Sequence, residues 1–311
     1  MNISPSERGR MVSIHLQRRD IEMLSLLGDV GILDTGLLHV RCFPEVTLRR
    51  CQQRLKQHVE QGLIRLQKLA VWYGDQSSRV PTVFTLTERG ADVVAEATGL
   101  RPFRVHRSDP KPETFHHRLA IVKTRLSLDD GFQSLGLQLP QWIMEQDRSP
   151  DAKPNEPPSL QRLLYHAFPE GNRTITCQPD AACRMSIPRD AARSEAGMID
   201  LIAYFEIDRS TERRGQVLTK LPGYAAAVEQ RSWLRYFPQA ASAPVRIFFV
   251  CQSQQRINSL RECLEENPLS SFLRFATMQE LTARHPLNDA IWQDTTGRRR
   301  EIVRVTAPLA Q

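Results

Sequence analysis

Residues 199–208 read Ile-Asp-Leu-Ile-Ala-Tyr-Phe-Glu-Ile-Asp, and they constrain the fold more than any other stretch. A short run of aliphatic and aromatic side chains, bounded by polar segments, has the length and composition of a buried strand. Strand side chains alternate between faces, so Glu206 and Asp208 leave the same face near the end of that strand. Upstream, residues 174–182 read Thr-Ile-Thr-Cys-Gln-Pro-Asp-Ala-Ala. A second strand carrying Asp180 beside the first would bring a third carboxylate to one edge. Three converging carboxylates can hold a hard divalent cation, Mg2+ or Mn2+, through oxygen ligands, as two-metal phosphodiester chemistry requires. Acidic residues at a strand end are equally consistent with a solvated edge, and spacing alone does not separate the two.

The chain around this stretch has 311 residues, enough for two domains with cores of their own. Lys and Arg exceed Asp and Glu by 42 − 35 = +7, and arginine dominates the basic pool. That balance favours an anionic partner, nucleic acid before a membrane surface, and arginine suits bidentate contacts to phosphate and guanine. Six cysteines occur without a C-x-x-C pair or a histidine at zinc-finger spacing, and each sits in an apolar pattern expected to be buried. Neither a signal-peptide core nor an apolar run of membrane-spanning length is visible, so a cytoplasmic protein is expected.

The first hundred residues carry a second pattern. Helical periodicity from Arg18 puts Ile21, Leu24 and Leu27 on one face, and Asp34 is placed to cap a second helix that stops at Phe43 and Pro44. A third helix over 46–61 has Leu48, Cys51, Leu55 and Val59 as its inward stripe, with Gly62 just past its end. Its opposite face carries Arg49, Arg50, Gln53, Lys56 and Gln57. Strands over 63–73 and 82–87 follow, joined by a turn, and Thr87 can cap a fourth helix closed by Gly99. Three short helices and a two-stranded ribbon are the plan of a winged helix-turn-helix, in which the third helix enters the major groove. Double-stranded DNA is then the expected partner. Arg49, Arg50, Gln53, Lys56 and Gln57 face it, and Arg65, Lys68 and Arg79 on or near the wing neutralise phosphates. A basic helix face that is merely solvated, or a winged helix used for protein contacts, is the competing interpretation.

Beyond residue 100 the composition changes. Residues 101–113 are rich in proline and charge and read as a linker between a domain over 14–100 and a second over 114–280, followed by a tail over 281–311. The helix that opens the second domain would bury Phe115, Leu119, Val122 and Leu126. His116 and His117 near its start diverge as neighbours do, which suits structural or exposed roles better than ligation. A strand over 137–145, an insertion over 147–172 with a brief helix at 160–168, and the Asp180 and Glu206 strands come next. A helix over 211–231 follows, expected to break or kink at Pro222 and Gly223. A buried strand over 245–251, a helix over 256–266 and an edge strand over 272–276 complete the order. The basic run 297–300 suits a solvated turn. A mixed sheet flanked by helices fits this α+β order.

The order helix, three strands, helix, strand resembles the PD-(D/E)xK nuclease core, with Pro179-Asp180 on the second strand and Glu206-Ile-Asp208 ending the third. Taken with the winged helix ahead of it, the Phe115-His-His-Arg-Leu start and the string Glu-Ile-Asp-Arg-Ser-Thr-Glu at 206–212, then Lys220 and Tyr224, the chain is similar to the replication-relaxation family over roughly residues 15–250. The resemblance implies a role in replication, relaxation or mobilisation of plasmids and mobile elements, alongside other replication or mobilisation proteins. It also implies that Asp180 and Glu206 match the metal-binding acids of the nuclease core. Asp208 stands where that core has its catalytic lysine, and Lys220 or Arg209 are the candidates to replace it. A DNA-binding protein with an inactive nuclease-like domain, a metal-dependent endonuclease using Asp180, Glu206, Asp208 and Lys220, and a plain winged-helix transcription regulator remain open at this point.

Overall fold

Polar caps set the boundaries of the first elements. The computed structural model describes residues 15–68, 82–102, 104–105, 112–153, 155–188, 197–209 and 214–304, and the chain divides into two units, 1–122 and 123–311. In the first unit, α1 (Arg18–Val30) precedes the two-residue β1 (Leu33–Asp34) and α2 (Thr35–Cys42). The Asp34 side chain accepts from Leu37 N at 2.8 Å, as expected for its cap. Thr47 caps α3 (Leu48–Glu60), and Thr87 caps α4 (Glu88–Thr98) by accepting from Gly90 N at 3.0 Å. Gly99 ends α4 with φ +75°, a left-handed conformation that glycine adopts without steric cost. Between α3 and α4, β2 (Ile64–Lys68) and β3 (Thr82–Leu86) pair antiparallel, and β1 joins β3 to make a three-stranded sheet in the order β1-β3-β2.

The core of this unit departs from the expected stripe on α3. Cys51 and Leu55 are fully buried, but Leu48 is 46% exposed, Val59 is only half-buried and His58 is buried in its place. The reason lies across the unit on α1. Asp20 is buried at 0% exposure and accepts from His58 Nε2 at 2.9 Å and from Arg54 Nε at 3.0 Å. A buried carboxylate must be paired, and the pairing rotates α3 so that His58 faces inward. Residues 101–105, assigned to a linker, partly fold back on the same unit. Arg101 pairs with Glu88 at 2.6 Å, and Arg104 N donates to Gly28 O at 3.3 Å. Pro102 lies where a Cβ on Gly28 would be, so only glycine permits that approach.

The second unit holds a seven-stranded mixed sheet in the order β12-β11-β10-β9-β8-β7-β4. Its strands are β4 (Gln141–Met144), β7 (Ala181–Pro188), β8 (Met198–Asp208), β9 (Val245–Cys251), β10 (Leu273–Thr277), β11 (Trp292–Gln293) and β12 (Arg299–Arg300). β4, β7 and β8 run antiparallel in turn, whereas β8, β9 and β10 are parallel. The helix α5 (Pro112–Ser134) precedes β4, α6 (Arg214–Glu229) follows β8, α7 (Gln254–Leu264) follows β9, and α8 (Met278–Ala283) follows β10. Phe115, Leu119, Val122 and Leu126 of α5 are buried as expected, and so are Ile121, Leu128 and Phe132. This is the expected α+β order with a mixed sheet and β8 near its centre.

Both faces of the sheet are apolar, which is why β8 is a continuous buried run. Ile202 and Tyr204 of β8 share a buried cluster with Val217, Leu221 and Tyr224 of α6 and Ile257 and Leu260 of α7. On the opposite face Phe205 stacks with Phe248 at 5.2 Å between ring centroids, and Phe248 meets Trp292 edge-on at 4.6 Å.

Several expectations are corrected here. Residues 160–168 form turns and the start of a hairpin, β5 (His166–Glu170) with β6 (Arg173–Cys177), rather than a helix. Residues 174–177 therefore belong to a separate two-stranded sheet, and Asp180 occupies the bend before β7. β10 is interior, not an edge, because residues assigned to a tail supply β11 and β12 beside it. α6 runs unbroken through Pro222, which is exposed, while Gly223 lets the Thr176 carbonyl come to 1.9 Å from where a Cβ would stand. Of the six cysteines, Cys42 is half-buried and Cys263 exposed, the other four buried.

Candidate functional site

The side chains singled out from the sequence fall in two sets, one in each unit. On α3 the sequence places Cys51, Leu55 and His58 inward at helical spacing, which leaves the opposite face to water. Arg49, Arg50, Gln53, Lys56 and Gln57 are all exposed there, as expected. Arg49, Arg50 and Gln53 make no side-chain hydrogen bond or ion pair among the described residues. Lys56 is 3.6 Å from Glu60, and Gln57 accepts from Arg54 at 3.2 Å. Arg65 is half-buried on β2, and Lys68 ends that strand opposite Thr82. Arg79 lies outside the described residues.

The acidic set sits at the end of β8. Asp180 N donates to Phe205 O at 3.0 Å, and the Asp180 carboxylate accepts from Ile207 N at 2.7 Å. Glu206 and Asp208 leave the helix-covered face together, as alternation requires, and both are buried. Their partners differ. Lys220 Nζ on α6 lies 2.9 Å from Glu206 Oε2, and the Tyr224 hydroxyl donates to Glu206 Oε1. Asp208 is held instead by Arg256 at the start of α7, at 2.7 and 2.8 Å. Asp180, Glu206 and Asp208 do not each bring an oxygen within 4.8 Å of the others among the described residues. The expected three-carboxylate cluster is thus divided, with Asp208 neutralised by a guanidinium.

Glu206 is electrostatically distinct. Burial, and then the Asp180 charge, push its carboxyl up to about 7, against the pull of Lys220 and Tyr224. Burial, then the charge of Glu206, raises the Tyr224 hydroxyl well above the ordinary tyrosine range. Glu206, Lys220 and Tyr224 line a cavity of about 240 Å³ together with Thr176 and Cys177 of the hairpin and Gln178 just past it.

Three participants were not singled out as site residues from the sequence. Glu145, just past β4, brings a carboxylate oxygen within 4.8 Å of Asp180 and accepts from Arg162 at 2.7 Å. Strand pairing explains this, because Met144 is registered against Ala181. Tyr224 lies one helical turn beyond Lys220, a spacing that does signal a shared face. Arg256 lies 48 residues from Asp208, and nothing local links them.

Chemically, the acidic set offers an amide-anchored carboxylate, a second one beside it, and a buried glutamate with a lysine 2.9 Å away. Asp180 with Glu145 or Glu206 provides oxygen ligands of the type that Mg2+ or Mn2+ takes. Asp208 does not fit that role while Arg256 holds it.

Comparison with known proteins bears on both sets. No curated protein matches the chain. Among solved structures, restriction endonuclease FokI aligns at 12% identity over 88% of this chain and 46% of that chain, with a TM-score of 0.28. This chain therefore spans less than half the length of that relative, and so low a score carries no weight for function. The family model described as Replication-relaxation matches residues 24–239, a span that holds the α3 face, Asp180, Glu206, Asp208 and Lys220. With more than two thirds of its length matched, the chain belongs to the replication-relaxation family.

Proposed function

We propose that this protein binds double-stranded DNA through α3 and acts in the replication, relaxation or mobilisation of a plasmid or other mobile element. The observation that carries this reading is the α3 face. Arg49, Arg50 and Gln53 project from its first half into water with no partner among the described residues. The order α1-α2-α3 followed by the β2–β3 ribbon is the plan of a winged helix, in which the N-terminal part of the third helix reaches base edges. Arginine forks suit guanine O6 and N7, and glutamine suits adenine. The excess of 42 Lys and Arg over 35 Asp and Glu adds sequence-independent attraction to phosphate.

A labelled duplex library passed over the immobilised full chain at low and high salt tests this reading. The expected result is retention at low salt that weakens as salt rises, with enrichment of particular sequences. No retention of any duplex at low salt overturns it.

A second reading, a metal-dependent endonuclease, is favoured by Lys220 beside Glu206 and by the Asp180–Glu145 pair. A bound divalent ion would supply an activated water and a charge sink for the phosphodiester. Asp180 with Glu145 or Glu206 would hold it, and Lys220 would face the developing charge. Supercoiled plasmid incubated with Mg2+ or Mn2+ decides the matter. Nicking by the unmodified chain that disappears in Asp180→Ala and Glu206→Ala supports it. Equal nicking by all three, or none, removes it.

A further inference from the structure

The sheet face opposite α6 and α7 carries a cavity of about 560 Å³ near the start of β9 and β10. Its lining includes the apolar Ile187, Leu201, Phe248 and Trp292, all buried, together with Arg246, Arg274 and Arg300. Position in the sheet explains the grouping. Arg246 is two residues before Phe248 on β9 and shares its face, while Arg274 on β10 is registered against Phe248. Arg300 comes from β12, in the segment whose sequence suits a solvated turn, and it is exposed.

The charges here are unbalanced. Arg246 donates through Nη1 to the Val245 carbonyl at 2.7 Å. Arg274 does the same to Leu273 at 2.6 Å and Ser271 at 3.1 Å. Neither makes an ion pair with a carboxylate among the described residues, although both are half-buried. Arg300 reaches Asp294 at 3.4 Å, and Glu301, the one acidic residue of the lining, is paired with Arg304 at 2.5 Å. Burial, and then the charge of Arg300, push Arg246 down from its ordinary value. Burial, then Arg246 and, more weakly, Arg300, push Arg274 down to about 10 against the pull of Asp294. An arginine keeps its proton under such conditions, so the repulsion remains as a cost to the empty cavity. Two half-buried guanidiniums that form no ion pair of their own among the described residues, beside a third whose carboxylate partner is Asp294, leave an excess of positive charge, the environment in which an anion binds.

We infer that this cavity is a binding site for a phosphate-bearing ligand of nucleotide size, its phosphate held by the Arg246, Arg274 and Arg300 guanidiniums and its ring body against the apolar wall. The planar guanidinium fork matches phosphate geometry, and each guanidinium has five donors, of which Arg246 and Arg274 use Nη1 on backbone carbonyls and Arg300 uses Nε on Asp294. The volume exceeds what an inorganic anion fills and falls within the range of small-ligand pockets. The site is separate from the acidic set, since Arg246 is registered against Ala203 on the opposite sheet face from Glu206.

The test uses the full chain with ATP, dTMP, inorganic pyrophosphate and a short single-stranded oligonucleotide with or without a 5′ phosphate, all at one ionic strength. Thermal unfolding and calorimetric titration are read for the unmodified chain, for Arg246→Gln/Arg274→Gln, and for Arg246→Lys. At least one nucleotide or the 5′-phosphorylated oligonucleotide is expected to raise the melting temperature of the unmodified chain. Affinity should fall by at least about 10-fold in the double variant, as loss of charge-assisted forks implies. Arg246→Lys should weaken binding less, since it keeps the charge and loses the fork. The ligand-free double variant is expected to melt at the same temperature or higher, because it loses the repulsion. Binding of free nucleotide and binding of only the phosphorylated oligonucleotide both support the site, and they distinguish a soluble ligand from a DNA end. No response to any probe, equal affinity in the double variant, or pyrophosphate binding as tightly as any nucleotide overturns it.

Discussion

Asp20 shows how one side chain sets the orientation of another element. Burial alone would raise its carboxyl, but hydrogen bonds from His58, Arg54 and the Gln17 backbone outweigh that and hold it well below the usual range. A depressed carboxylate contributes stability above its unfolded value, and that contribution is lost as pH falls through the folded one. The first unit should therefore weaken as pH drops below about 4, the ordinary aspartate value. Asp20→Asn is expected to cost about 3 kcal/mol in urea unfolding at pH 7, because it leaves half-buried Arg54 without its counter-charge and buried His58 without its carboxylate acceptor, and to flatten the acid limb. A loss no larger than that of a surface substitution would contradict the role given to this carboxylate. Glu206 has the opposite sign. Its raised value means that its contribution to stability is complete below the ordinary glutamate range and is lost as pH rises through about 7. Glu206→Gln should thus leave stability near that of the unmodified chain at acid pH and raise it by on the order of 1–3 kcal/mol at pH 8, even though it removes the Lys220 pair. Melting curves at pH 5 and pH 8 give the comparison, and a variant less stable at pH 8 would be the contrary result.

At the scale of elements, the close approach of α6 to β6 makes the wall of the small acidic cavity. Adding a methyl group at Gly223 places it 1.9 Å from the Thr176 carbonyl, a backbone atom that cannot swing aside. Gly223→Ala should cost about 1–3 kcal/mol or more, and shift the hairpin away from Glu206. Gly215 lies on the same helix with nothing within 4 Å of an added Cβ. Gly215→Ala should be neutral or stabilising by up to about 1 kcal/mol, through helix propensity alone. Chemical denaturation of both variants checks the pair, and equal effects would contradict the packing described. The same elements show what a sequence discloses. β8 was legible because burial on both faces demands an uninterrupted apolar run, and the caps Asp34 and Thr87 were legible because capping is local. The turn of α3 that buries His58 was not, because its cause, Asp20, lies 38 residues away. Pro222 signalled a break that did not form, since it stands on the solvent side of α6 where water can satisfy the carbonyl it leaves unpaired. The run 160–168, short, apolar and flanked by prolines, fits a helix as well as the turns and strand that it forms, so its period does not disclose the hairpin.

For the whole molecule, the candidate site divides along the same line. Glu206 and Asp208 share a face by alternation, which the sequence states directly. That Arg256 takes Asp208 away from the acidic set depends on how β9 and α7 return to β8, and no local pattern encodes that. Among the described residues, no helix is long and apolar enough to cross a membrane. The two units place a basic helix face on one and a divided acidic set on the other, so binding and any cleavage are separable by mutation. Asp180→Ala is expected to leave DNA affinity unchanged within about 2-fold, because Asp180 belongs to the other unit and is not part of the α3 face. The central claim is that Arg49 and Arg50 contact DNA. Its most direct test is the salt dependence of affinity for a library-selected duplex, comparing the unmodified chain with Arg49→Ala/Arg50→Ala. The double variant should bind at least about 10-fold more weakly, lose its preference over a scrambled duplex, and show a salt slope shallower by about 1–2. Unchanged affinity, preference and slope would show that α3 does not face DNA.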